Sequence, residues 1–213
     1  MSMGIENLAI FIGTGILLNL YPGPDTFYII GRSLSQGRGA GICAALGIST
    51  GAVVHTLLGA FGLSAILATS ASAFTVLKYL GAAYLIYQGI RLICEKPQPT
   101  DSSTTLSPAV GLWRIYRQGA LTNILNPKVA LFFLAFLPQF ISATSPNKVL
   151  SFLALGTVFI TTGTIWCLIL AVFSSSLGKR LRNSEAMTAR LRKINGVLFG
   201  LLGLKLATAR IEL

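Results

Sequence analysis

Two short segments of the sequence combine helix-breaking residues with a charged residue. The first holds Asn19, Pro22, Gly23, Pro24 and Asp25, and the second holds Asn123, Asn126, Pro127 and Lys128. Proline has no amide hydrogen, so Pro22 and Pro24 would leave the carbonyls of Leu18 and Leu20 without helical partners, and Pro127 does the same to that of Asn123. Asp25 and freed carbonyls can accept hydrogen bonds, whereas Lys128 and helix N-termini can donate them. The two segments together therefore predict a binding site for a small zwitterion.

The single histidine, His55, is the second group that could carry a proton. It lies on a row of small residues spaced by four, which consists of Cys43, Gly47, Gly51 and Gly59. Such a row usually marks a close helix-packing face, either within one chain or between two copies in a homodimer. His55 should then point into protein. Two interpretations stay open: it relays a proton together with Asp25, or it is a polar side chain hydrogen-bonded across helices.

Other patterns of reactive residues are weaker. Gly47, Ser49 and Gly51 match the nucleophile-elbow motif, but that motif needs a strand before it, and here it lies in an apolar helical run. Ser49 and His55 are six residues apart, about 240° around a helix, so they do not share a face. The three cysteines have no metal-site spacing. We therefore expect neither an enzyme nor a disulfide framework, and no cofactor or metal.

The composition predicts which elements position these residues. The chain has 213 residues, of which 53% are hydrophobic and 11% charged, and its mean hydropathy is +0.72. Soluble domains carry about 25% charged residues, so we predict an all-α integral membrane protein. The N-terminus has no basic region, and we expect the first apolar segment to stay as a membrane helix. The predicted spans are 6–31, 40–67, 74–93, 115–140, 149–176 and 194–211.

The chain divides into two related halves. Residues 95–108 are polar and contain three prolines, which predicts an exposed cytoplasmic linker between 1–94 and 109–213. Each half has one broken segment in its first span. A second match joins Lys78-x-x-Gly81-x-x-Tyr84 to Lys193-x-x-Gly196-x-x-Phe199 in the third span of each half. Three spans per half make the halves inverted repeats, with the first and fourth helices broken.

The net charge of +11 fits a membrane protein better than a nucleic-acid-binding protein, because the basic residues lie in clusters between apolar runs. One side of the predicted topology carries only Lys78, Lys148, Lys205 and Arg210. The other side carries Arg32, Arg38, Arg91, Lys96, Arg114, Arg117, Lys179, Arg180, Arg182, Arg190, Arg192 and Lys193. Cytoplasmic loops are the more basic, so both termini should lie outside the cytoplasm, with lipid as the surrounding partner and no nucleic acid.

An ordered set of motifs resembles the LysE/RhtB family of bacterial amino-acid exporters. The set runs Pro22-Gly23-Pro24-Asp25, Gly31-Arg32-Ser33, Gly37, Ala45-x-Gly47-x-x-x-Gly51, 77–85, Asn123-x-x-Asn126-Pro127-Lys128 and 137–140. The resemblance implies a multi-pass protein of the bacterial inner membrane that exports amino acids or small derivatives, driven by the proton gradient. Within the family, the sequence most resembles the branch that exports threonine or homoserine. The family often has Asn after Pro-Gly-Pro, so an acid at Asp25 is not obligatory.

These observations predict a secondary active transporter. We expect a neutral amino acid to bind between the Pro-Gly-Pro and Asn-Pro-Lys breaks, with proton antiport driving export. The alternatives are an exporter or channel for another small solute and, less favoured, a membrane-embedded enzyme.

Overall fold

The computed structural model of the chain describes residues 4–63, 71–94, 110–142 and 144–183, together with several helical residues between 193 and 208. All regular elements in these residues are helical, and one isolated antiparallel bridge joins Ile5 to Ile141. The predicted linker 95–108 lies outside the described residues, as does part of the sixth predicted span. The all-helical prediction is thus confirmed for the part of the chain that the structure describes.

The first predicted span consists of two helices, α1 (Leu8–Leu20) and α2 (Pro24–Gln36). The break falls at residues 21–23, and Pro24 occupies the start of α2, where its missing amide hydrogen costs nothing. Helix α2 continues past the predicted end of the span at residue 31. The apolar run ends there, but the backbone stays helical through Arg32–Gln36. It ends at Gly37, whose φ of 87° only glycine adopts readily, and α3 begins at the next residue.

The remaining helices include the second break. They are α3 (Arg38–Leu57) with a π-helical extension (Leu58–Leu63), α4 (Ala71–Cys94), α5 (Leu112–Ile124), α6 (Pro127–Leu131) and α7 (Lys148–Asn183). A π-helical turn (Phe132–Phe136) and a 3-10 turn (Leu137–Phe140) extend α6. The segment from Pro127 to Phe140 is bent by 48° from α5. The sequence therefore predicted both breaks correctly.

Two described helical segments are long and apolar enough to cross a membrane, Arg38–Gly62 and Lys148–Ser174. A third is added if α5 and the bent segment up to Phe140 form one span. Helix α1 is apolar but has only 13 residues, because the first break cuts the predicted span in two. An arrangement of six spans as inverted repeats stays a prediction.

Helix α3 packs closely against α5 and α7 through its small residues. A Cβ added at Gly47 would collide with the Tyr116 carbonyl of α5, and one at Gly51 would lie 2.7 Å from Cβ of Asn123. Gly59 faces the ring of Phe152 in α7. The predicted packing face is thereby confirmed within the chain, and a homodimer stays a prediction that this row of glycines no longer supports.

The described residues contain two buried apolar clusters. The first is largely aromatic and includes Phe11, Phe132, Phe133, Phe136 and Phe159. The second is built from smaller residues of α2, α3, α5 and α7, among them Ile29, Ala44, Ile48, Ile115 and Leu170. In a bilayer such clusters stabilise the bundle mainly through van der Waals packing between helices, because lipid is as apolar as these side chains. Several polar residues are buried alongside these clusters, among them Asn123 and Asn126.

Candidate functional site

A small cavity, lined by both apolar and polar residues, is bordered by members of the two apolar clusters and lies beside both helix breaks. Residues of α1, α2, α3, α5, α6 and α7 line it, including Ile48 of one cluster and Phe159 of the other. The centres of water-sized molecules can occupy about 40 Å³ of it. A water needs roughly 10–15 Å³ by this measure, so the cavity has room for a few waters.

Lys128 closes the first break, although it lies just beyond the second. Its Nζ donates to the carbonyl oxygens of Leu18 at 3.2 Å and Tyr21 at 3.1 Å. The Leu18 carbonyl is one of those that the prolines deprive of a helical donor. These oxygens form the C-terminal end of α1, where the helix dipole favours a cation. The ammonium also lies 5.6 Å from the centre of the Tyr21 ring, within range of a cation–π interaction.

His55 closes the second break from the other half of the chain. Its Nε2 lies 3.1 Å from the carbonyl oxygen of Asn123, the group that Pro127 deprives of its helical donor. A carbonyl can only accept, so Nε2 carries a hydrogen and donates it. The same oxygen accepts from the amide of Asn126 at 3.0 Å, and the Asn126 side chain caps the N-terminus of α6 by accepting from the amide of Lys128.

Asp25 joins the two breaks through Asn123. The Asn123 Nδ2 donates to Oδ2 of Asp25 at 2.8 Å, across 98 residues of sequence. Asp25 lies in the first turn of α2, where the helix dipole favours a carboxylate, and Gly23 is the N-cap. Its other oxygen, Oδ1, is buried and has no hydrogen-bond partner. The carboxylate therefore keeps one free acceptor atom.

Further polar atoms around the cavity lack partners, and they are of both kinds. Among the lining residues, the unpartnered donors are Asn19 Nδ2 and Trp166 Nε1, and the unpartnered acceptors are Oδ1 of Asp25 and Oδ1 of Asn123. A buried polar atom without a partner costs about 1–3 kcal/mol. Such a set is typical of a site that a polar ligand or water completes.

The predicted site residues separate into three groups in the structure. Asn19, Asp25, Asn123 and Lys128 line the cavity. The others of the two motifs, Pro22, Gly23, Pro24, Asn126 and Pro127, form the breaks beside it. His55 is buried behind Asn123 and stacks on the ring of Phe133, with 5.7 Å between ring centroids.

The sequence interpretation missed the contribution of α7. Trp166, Thr164 and Cys167 line the cavity together with Asp25, and Thr164 hydrogen-bonds Ser49 at 2.7 Å. The only signal was the presence of Gly163 and Thr164 within a long apolar run, which also occurs in ordinary packing faces. Helix α7 has no break, so nothing in its residue types singled it out.

The geometry gives little support to an enzyme centre. Ser49 lies inside α3 and bonds Thr164 and the Ala45 carbonyl, whereas His55 bonds Asn123, so the two do not form a nucleophile–base pair. The described residues also contain no group of three His, Cys, Asp or Glu side chains that could hold a metal ion.

Comparison with known proteins places the chain in a family. The family model for LysE type translocators matches residues 16–210. An uncharacterized membrane protein of Vibrio cholerae is 33% identical over 98% of this chain and its own full length. The uncharacterized membrane protein YrhP of Bacillus subtilis is 31% identical, with 94% of this chain and 98% of that protein aligned. An uncharacterized membrane protein of Pseudomonas aeruginosa is 29% identical over 99% of both chains.

No solved structure matches the chain. The family match nevertheless extends from α1 to the last helical residues, and it contains both breaks and every residue that lines the cavity. The resemblance that the ordered motifs indicated is therefore confirmed: this chain belongs to the family of LysE type translocators.

Proposed function

We propose that this membrane translocator is a secondary active exporter of a neutral amino acid or a small derivative, such as threonine or homoserine. Membership of the family already implies a membrane exporter of small solutes. The observation that carries the finer proposal is the buried, unpartnered Oδ1 of Asp25 in a cavity between two helix breaks. A substrate ammonium would complete that carboxylate with a charge-assisted hydrogen bond.

The charges of the cavity favour a zwitterion. Its lining contains one carboxylate, Asp25, and one ammonium, Lys128. A cationic amino acid would bring a second positive charge without a second acid to balance it. Asn19 and Trp166 supply unpartnered donors for the substrate carboxylate, and Lys128 has a third hydrogen beyond the two it gives to Leu18 and Tyr21.

The cavity also favours a small substrate and a conformational change. Ile48, Ala52, Val129, Phe159 and Ile160 are apolar residues of the lining, and a short apolar or hydroxyl side chain would fit against them with the least rearrangement. The present volume of about 40 Å³ is too small for any amino acid, so the lining helices must move apart during binding. In our proposal six spans form two inverted repeats, and these swing around the site by alternating access in the bacterial inner membrane, with both termini outside the cytoplasm.

Proton antiport would supply the driving force. Asp25 and His55 are the titratable acid and base on the proposed path, and a proton on Asp25 would compete with the substrate ammonium for the same oxygen. Protonation from outside would then release the substrate and couple the two fluxes. If instead His55→Ala bound substrate but lost its response to pH, the histidine would be the relay.

The test is counterflow into proteoliposomes that are preloaded with unlabelled amino acids. A labelled panel of neutral, cationic and acidic amino acids is measured with and without an imposed pH gradient. We expect saturable, gradient-dependent counterflow of small neutral amino acids. Loss of one charge-assisted hydrogen bond should weaken apparent affinity about 10- to 100-fold in Asp25→Asn. Glu6→Gln is the matched control, because Glu6 is an exposed acid outside the helices.

Four outcomes would contradict the proposal. Unchanged transport and pH response in Asp25→Asn would remove its central residue. Flux without saturation or counterflow would indicate a channel. An absence of counterflow for every amino acid, in protein shown to be folded and inserted, would point to another small solute, and turnover of a compound in detergent would indicate an enzyme.

A further inference from the structure

The two helix breaks are each closed by a side chain from the opposite half of the chain. Lys128, from the second half, donates to the Leu18 and Tyr21 carbonyls at the first break. His55, from the first half, donates to the Asn123 carbonyl at the second break. The contacts join residues separated by 110, 107 and 68 positions. Leu18 and Asn123 are, in addition, carbonyls that lie four residues before Pro22 and Pro127.

We propose that Lys128 and His55 are reciprocal positioning residues, each of which donates to a carbonyl that a proline of the other half deprives of its helical donor, and that His55 does so together with the Asn126 amide. In a bilayer, a broken helix needs replacement partners for its freed carbonyls, because no water reaches them from lipid. The cap at each break fixes the backbone that carries the cavity residues, Asn19 before the first break and Asn123 before the second. The proposal concerns the breaks themselves and does not depend on which substrate the cavity accepts.

The carbonyl oxygens at the first break resemble the ligands of a sodium site. Broken helices in transporters commonly coordinate Na⁺ with unwound carbonyls and the C-terminal ends of half-helices. Here Leu18 and Tyr21 offer such oxygens, and the ammonium of Lys128 already occupies the position between them. Gly23 lies next to this ammonium, since a Cβ added there would be in van der Waals contact with Nζ of Lys128 at 3.4 Å. Lys128 thus acts as a tethered cation, and this break requires no sodium ion.

For the second break the requirement is a donor and not a charge. Nε2 of His55 keeps its hydrogen both in this neutral tautomer and in the imidazolium, so the cap survives protonation at Nδ1. A glutamine at this position could still donate to Asn123, whereas a phenylalanine could only stack on Phe133. The two substitutions therefore separate the cap from the ring packing.

The test measures the melting temperature, Tm, of the full-length protein in detergent, with choline, sodium or methylammonium chloride at equal ionic strength. We expect Lys128→Ala to lower Tm by at least about 5 °C. Methylammonium, which has the size and charge of the lost group, should restore part of that loss in a saturable way, and sodium should do so to some extent. Wild-type Tm should not distinguish the three salts, because its own ammonium fills the position.

His55→Phe and His55→Gln test the second cap. We expect His55→Phe to lower Tm and His55→Gln to stay close to the wild type. Lys148→Ala, at the start of α7, is the matched control for removal of a lysine and should change Tm by less than about 2 °C. None of these measurements involves transport. The proposal about the two caps can therefore be refuted while the proposed amino-acid export stands, and the export proposal can be refuted while the caps stand.

Four results would overturn the inference. They are a Lys128→Ala protein as stable as the wild type, an equal loss in Lys148→Ala, equal Tm values for the two His55 variants, and a saturable rise of wild-type Tm with sodium over choline. The last measurement needs only the wild-type protein, so the inference can be refuted even if Lys128→Ala does not fold.

Discussion

The close contact between α3 and α5 makes Gly47→Ala a quantitative test of the packing that holds the site together. The added Cβ would collide with the Tyr116 carbonyl and lie 3.0 Å from both the Tyr116 carbonyl carbon and the Ala120 amide nitrogen. These atoms are backbone, so no side chain can rotate away. The two helices must separate by a few tenths of an ångström at Ala120 and by more at Tyr116.

The expected cost follows from that geometry. Overpacking a buried contact costs about 1–3 kcal/mol. A clash with the backbone atoms of α5 should lie in the upper part of that range, because backbone cannot rotate away. For a chain of this size, roughly 2–3 kcal/mol lowers Tm by about 4–10 °C. Because α3 carries His55 and α5 carries Asn123, the same separation should lengthen their hydrogen bond and reduce transport.

Thermal unfolding followed by circular dichroism in detergent is the assay, with transport in proteoliposomes as the second measurement. Gly31→Ala is the matched control, because Gly31 lies within α2 and a Cβ there meets nothing within 4 Å. It should be neutral or stabilise the helix by up to about 1 kcal/mol. If Gly47→Ala has the same Tm as the wild type, or if Gly31→Ala loses as much stability as Gly47→Ala, the two helices are not in the close contact described.

Three further predictions concern single hydrogen bonds. In a double-mutant cycle of Asp25→Asn and Asn123→Leu, the two losses of stability should be non-additive by about 1–3 kcal/mol, and strict additivity would mean that their 2.8 Å contact contributes nothing. Ser49→Ala should retain transport and lose about 1 kcal/mol with its bond to Thr164, whereas abolished transport in a folded protein would revive a catalytic role for the hydroxyl. Tyr28→Phe should lower the unfolding free energy by about 1 kcal/mol, since its hydroxyl donates to the Ile115 carbonyl at 2.8 Å, and an unchanged Tm would contradict this.

The sequence was sufficient to predict the breaks but not their closure. Pro22, Pro24 and Pro127 act through a local rule, the missing amide hydrogen, so the interruptions between α1 and α2 and between α5 and α6 could be anticipated from residue types alone. The partners of the freed carbonyls depend on how distant helices pack, and no spacing in the sequence links Lys128 to Leu18. The glycines of α3 predicted a close contact, yet only the fold shows that the partner is α5 of the same chain.

The lengths of the helices were harder to predict than their positions. Hydropathy detects the apolar run in α2, but the helix continues through Arg32 and Gln36, whose side chains bond each other at 3.2 Å. The role of α7 in lining the cavity was invisible for a similar reason. Trp166 and Cys167 are ordinary residues of an apolar helix until tertiary packing brings them to the same cavity as Asp25.

The placement of Asp25 beside the first break has a mechanical consequence. Gly37 joins α2 directly to α3, so the only non-helical backbone at the other end of α2 is at residues 21–23, which is where a pivot would lie. Helix α2 has 13 residues and is therefore about 20 Å long. A rotation of about 10° around that pivot would carry Gln36 through roughly 3 Å but Asp25 through only about 0.5 Å. In such a rotation the far end of α2 would have to give up contacts such as the bond from Gln36 to the Val110 carbonyl, whereas Asp25 would keep nearly the same position.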